Sequence, residues 1–152
     1  MCMRKLTLCI VLLFVAFGLN AQSSKQQGNV ITDYLKGIAS FYHDKFEGRK
    51  TATGEIFDND KFTAASNKLK LGSFVKVTNL SNGISIYVKI NDRMAKSNKR
   101  LIDLASVAAR SLNFGSAGLA KVKVEPVSAE EGKKGILAQK DPAAILISRS
   151  EF

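Results

Sequence analysis

The feature that most constrains this chain is the stretch "GSFVKVTNLSNGISIYVKIND", residues 72–92. Two β-rich runs flank Asn82-Gly83, a pair that tolerates the positive φ angles of a tight hairpin turn. In the second run Ile84, Ile86, Val88 and Ile90 share one face, and Ser85, Tyr87, Lys89 and Asn91 the other. That period of two is the mark of a strand with one buried face.

Farther along, "LAKVKVEPV" alternates Ala120, Val122 and Val124 against Lys121, Lys123 and Glu125. Between these runs lies "RLIDLASVAARSLNFG", where Leu101, Leu104, Ala105, Ala108 and Leu112 fall at helical spacing. Gly115 is placed to end that helix. Strands at short spacing around one short helix, without a βαβ rhythm, predict an all-β chain closed as a small barrel. The dense part runs from Gly37 to Val127, after a polar lead-in over 22–36. Residues 128–152 form a tail, too short for a second domain, that can be a docking strand, a short helix or loose chain.

The amino terminus reads as an export leader. Arg4 and Lys5 precede the apolar run Leu6–Leu19, and Ala21 offers a small residue for cleavage. The run is short beside the roughly 20 residues of a spanning helix, so residues 1–21 are expected to be removed and the product not to be lipid-anchored. Both cysteines, Cys2 and Cys9, lie in this leader. The mature chain then holds no disulfide and no thiolate metal site. With a single histidine, no metal or cofactor is expected. The net charge of +10 favours polyanions, and in an exported protein these are envelope polymers. No nucleic-acid-binding motif is visible.

Isolated acids are the candidates for chemistry. Asp92 has the parity of the apolar face of its strand, so a continuing strand would leave its carboxyl partly desolvated, as a general acid requires. If the strand instead ends at Ile90, "NDR" is a polar turn. Asp103 stands at the mouth of the expected helix, where capping is the simpler role. Glu55 follows Thr53-Gly54, and His43 adjoins Tyr42; neither pattern alone marks a site.

The ordered set "GIASFYHDKFEGRKTATGEIFDNDKFTAAS", "LKLGSFVKVTNLSNG", "VKINDR" and "RLIDLASVAARSL" resembles the rare lipoprotein A (RlpA-like) family. The resemblance covers residues 37–127 and implies a six-stranded double-psi β-barrel with a short helix. It also implies a lytic transglycosylase that cuts MurNAc–GlcNAc bonds of peptidoglycan and leaves a 1,6-anhydro end. Carried over by motif, Asp92 becomes the acid/base and Glu55 a second catalytic or positioning carboxylate. Asp103, Tyr42, Arg93, His43 and Ser66 become groove residues that bind the sugar. Ser66 departs from the pattern, since most relatives have histidine there, and serine cannot titrate near neutral pH. The alternative implied by that change is an expansin-like module that binds peptidoglycan without cutting it. The lipid-anchor cysteine and the glycan-binding SPOR module of relatives are absent from the expected mature chain. It is expected to be a periplasmic or secreted monomer whose tail can meet an envelope protein.

Overall fold

The computed structural model describes residues 33–141. The expected leader, most of the lead-in and residues 142–152 lie outside the described residues. Six strands, β1 (Leu35–Phe41), β2 (Thr63–Ala65), β3 (Phe74–Asn79), β4 (Ser85–Asp92), β5 (Ile102–Leu104) and β6 (Ala120–Val127), accompany helices α1 (Ser106–Ser111) and α2 (Ala129–Lys140). They close into a barrel in the order β1-β5-β2-β4-β3-β6. Closure leaves no open sheet edge. β1/β5 and β2/β4 pair in parallel, and the other neighbours are antiparallel.

The hairpin forms where the Asn-Gly pair requires it. β3 and β4 pair from Phe74↔Lys89 to Thr78↔Ser85, and Gly83 takes the positive φ of 75° that the turn needs. Ile86, Val88 and Ile90 point into the barrel, where Val75, Val77, Val122 and Val124 meet them; all seven are at most 2% exposed. Such side chains each contribute about 1.5–3 kcal/mol by leaving water.

Two local expectations are corrected. Helical spacing predicted one helix through Leu101 and Leu104, but residues 102–104 form β5, and α1 covers only Ser106–Ser111. The physical reason is pairing. Ile102 and Leu104 bury fully between β1 and β2, and that long-range burial outweighs a local helical pattern. The left-handed turn beyond α1 falls at Asn113, with φ of 55°, and not at Gly115. Asparagine tolerates that conformation better than most side chains.

Of the forms open to the tail, a helix forms over 129–140. Ser128 caps it, its hydroxyl accepting from the Glu131 N–H at 3.1 Å. α2 rests on the outside of the barrel through two glycines. A Cβ added at Gly132 would stand 2.3 Å from Phe74, and one at Gly135 2.3 Å from Tyr87. Gln139 then brackets the Tyr87 backbone, accepting its N–H and donating to its carbonyl at 3.0 Å. Gly132→Leu is expected to lift α2 and cost about 1–3 kcal/mol by overpacking, read as a lower thermal midpoint. An unchanged midpoint would show that this contact carries no stability.

Candidate active site

The site is built by a break in strand register. β2 and β4 pair Ala64 with Ile90 and then Ala65 with Asp92, so Asn91 is the extra residue of a bulge. Ala65 also pairs with Asp103, and Asp103 pairs with Ser40. Asp92, Ala65, Asp103 and Ser40 therefore stand in one row across four strands. The adjoining row, Ile90, Ala64, Leu104 and Phe41, packs into the barrel. Parity alone predicted that Asp92 would end the inner, apolar face. The bulge turns it to the outer face, beside a second carboxylate.

Asp92 is half-buried, and its two oxygens are held differently. Oδ1 accepts the backbone N–H groups of Ala52 (2.9 Å) and Arg93 (2.8 Å), whereas Oδ2 accepts the Tyr42 hydroxyl at 2.9 Å. The Tyr42 ring is fixed between Phe57 and Phe46, with centroids at 4.5 and 5.7 Å. Burial, then the neighbouring carboxylates of Asp92 and Asp103, push the Tyr42 phenol far above its ordinary 10.0. Its proton is thus retained throughout the neutral range, and the hydroxyl remains a donor.

Asp103 is the better enclosed of the pair, its side chain 14% exposed. Ser40 Oγ donates to Oδ1, Arg100 donates from Nε to Oδ1 at 3.0 Å and from Nη2 to Oδ2 at 3.3 Å, and Asn98 Nδ2 reaches Oδ2 at 3.3 Å. The capping role favoured from its sequence position is not what forms. α1 starts beyond Ala105 with no side-chain cap, because residues 102–104 are committed to a strand.

Glu55 stands apart from this row. Its carboxylate is taken by Lys89 and, at 2.8 Å, by Asn91 Nδ2. These hydrogen bonds, that of Lys89 first, hold it below its usual 4.5. A carboxyl held ionised has no proton to give at neutral pH. The loop it closes does serve Asp92. Thr51 N–H bonds the Glu55 carbonyl at 2.8 Å and Thr53 N–H the Asn91 carbonyl at 3.1 Å, which sets the Ala52 N–H on Asp92. Because the folded value lies below the unfolded one, the pair adds stability above about pH 4.5 that is lost as pH falls through the lower folded value. The side chain is 42% exposed, so solvent keeps the effect small. Glu55→Gln is expected to flatten slightly the acid side of a urea-midpoint curve. A curve parallel to wild type would mean the pair does not hold in solution.

Three further candidates have structural partners. Ser66 is fully buried, its hydroxyl donating to the Leu101 carbonyl at 2.8 Å and accepting the Lys68 N–H at 3.2 Å. Arg93 spends its guanidinium on the carbonyls of Ser66 and Leu69, bracing that loop. His43 is exposed and accepts the Lys45 N–H at 3.2 Å, capping a single 3-10 turn over Asp44–Phe46. The row thus joins Asp92, Asp103 and Tyr42, and leaves Glu55, Ser66 and His43 outside it. Ser40, Asn98, Arg100 and the Ala52 N–H were not foreseen. Of these, Ser40 had a signal, since it shares the strand parity of Tyr42 in "ASFY".

Residues 34–124 match the family model described as lytic transglycolase, of the double-psi β-barrel type. The endolytic peptidoglycan transglycosylase RlpA of Haemophilus influenzae is 46% identical over 101 residues, 66% of this chain and 35% of that protein. The RlpA of Neisseria meningitidis serogroup A is 45% identical over 100 residues, 65% of this chain and 42% of its own. The chain thus spans well under half the length of these curated relatives. Among solved structures, an expansin of Clavibacter michiganensis superposes with a TM-score of 0.51 at 21% identity, covering 63% of this chain and 51% of that one. The Streptomyces papain inhibitor superposes with a TM-score of 0.52 at 22% identity, over 66% of this chain and all of the other. At these identities the likeness is one of fold.

Proposed function

The chain belongs to the lytic transglycolase family, and from that premise we propose that it is an endolytic peptidoglycan transglycosylase of the cell envelope with Asp92 as its acid and base. The observation that carries the reading is the unequal holding of the Asp92 oxygens. Two backbone N–H groups occupy Oδ1, so the mobile proton belongs on Oδ2, beside the Tyr42 hydroxyl. Protonated there, Asp92 gives its proton to the oxygen that leaves the MurNAc C1 carbon as the glycosidic bond breaks. The resulting carboxylate takes the proton of the same sugar's 6-hydroxyl as that oxygen closes on C1. No water is consumed, and one carboxyl serves both steps, unlike the paired carboxyls of the hydrolases.

The other groups of the row have supporting roles in this reading. Tyr42, held as a donor, stabilises the Asp92 carboxylate between the two steps. Asp103, fixed by Ser40 and Arg100, places negative charge in the same groove, where the sugar ring becomes positive. Glu55 orders the 51–55 loop and is a positioning residue here. Arg93 braces the groove, and Ser66 supports it from below. Residues 1–21 serve as the export leader and 37–127 as the acting barrel, a reading supported by the order of charged, apolar and small residues at the start. Among the described residues no helix is long and apolar enough to cross a membrane.

The test is release of soluble glycan from dye-labelled sacculi by the purified chain. Release that rises with protein concentration is expected. Sacculus pull-down without release at any pH would leave a binding module in place of an enzyme.

A further inference from the structure

A second cavity opens on the other side of the 51–56 loop. It holds about 700 Å³, within the usual range of ligand sites, and lies between α2 and the outer face of the barrel. Phe62, Phe74 and Ile136 give it an apolar lining. Two large apolar side chains that line it are left open, Ile56 at 52% and Leu137 at 67% exposure. Four lysines, Lys61, Lys89, Lys133 and Lys140, also line it, against one carboxylate, Glu55. Lys89 is satisfied by Glu55, and Lys61 by Asp58 at 3.3 Å. Lys133 and Lys140, both on α2, add the excess positive charge.

This cavity is tied to the active site by sequence neighbours. Asn91 lines it and Asp92 faces the groove, so the bulge sends consecutive residues of β4 to the two sites. The same loop gives Ala52 to Asp92 and Glu55 and Ile56 to the cavity. A ligand that fits both sites has a sugar at one end and, across one loop, a body with small apolar groups and several carboxylates. Peptidoglycan strands carry such a body. Their sugars bear short peptides of alanine methyls and free carboxylates, and four extended residues span up to about 14 Å.

We propose that the α2 cavity binds the acidic peptide attached to the glycan, so that the chain takes peptide-bearing strands in preference to bare ones. This rests on the peptidoglycan reading above, and binding can be measured apart from cleavage. Amide resonances of the full chain are followed while a disaccharide-tetrapeptide fragment, or the same disaccharide without peptide, is added. The peptide-bearing fragment is expected to shift α2 resonances, and the bare sugar to leave them in place. Lys133→Gln with Lys140→Gln should weaken the peptide-bearing fragment about fivefold or more, and high salt should act likewise. The double variant should release bare strands as fast as wild type.

Equal affinity of the double variant and wild type would overturn the proposal. So would α2 resonances that answer to phosphatidylglycerol vesicles and not to the peptide, which would make the occupant a lipid. A peptide shift that appears only after residues 142–152 are deleted would make the cavity the tail's own seat. Should wild type bind the peptide at α2 yet release no glycan, the cavity stands and the catalytic reading falls.

Discussion

Asp92→Asn is expected to lower glycan release from sacculi by about 10²–10⁴-fold, the usual contribution of a general acid or base, and to leave sacculus pull-down unchanged. The substitution is a clean one here. The amide oxygen can take the place of Oδ1 and accept the N–H groups of Ala52 and Arg93. The amide nitrogen then faces Tyr42, whose hydroxyl oxygen can accept. Every hydrogen bond in the surroundings has a partner, so the bulge and the 51–55 loop keep their shape. Only the exchangeable proton is lost. Release within about tenfold of wild type would move the chemistry to another group.

Ser66→His is expected to lower stability by about 1–3 kcal/mol, as overpacking does, and to bring no gain in release. The family pattern makes the opposite outcome attractive, since histidine would restore the common motif. The surroundings of this chain argue otherwise. Ser66 is 0% exposed and sits between the Leu101 carbonyl and the Lys68 N–H. Its own carbonyl is gripped by Arg93. An imidazole must displace that loop before it can meet the groove, and the loop is what Arg93 holds. A thermal melt beside a release assay separates the outcomes. Faster release at an unchanged melting temperature would place residue 66 in the groove and give the histidine position a direct part in the reaction.

What the sequence made legible follows from how local each signal is. The β3–β4 hairpin and β6 are written in alternation and in one Asn-Gly pair, so few competing arrangements fit them. Asp92 was found because it ends such a run. β5 was misread because Leu101 and Leu104 suit a helical stripe as well as a short buried strand, and three residues leave alternation too little length to show. The face on which Asp92 emerges could not be read. It depends on the bulge at Asn91, which exists only in the pairing with β2, some 25 positions earlier. Glu55 looked like a partner of Asp92 because the family motif joins them. In space, Lys89 and Asn91 draw its carboxylate to the other side of the loop. Arg100 and Asn98 gave no pattern at all, because their role is defined by where Asp103 lies. The tail showed its charge but not its seat, since Gly132 and Gly135 matter only against Phe74 and Tyr87.

The central claim is that one carboxyl at the end of β4 both releases the leaving sugar and closes the ring without water. It is tested most directly by mass spectrometry of the ends of glycan fragments that the chain releases from sacculi in water enriched with heavy oxygen. The account predicts 1,6-anhydro-MurNAc ends that carry no heavy oxygen. Reducing MurNAc ends labelled from the water would contradict it, for they would mean hydrolysis and a second group that activates water.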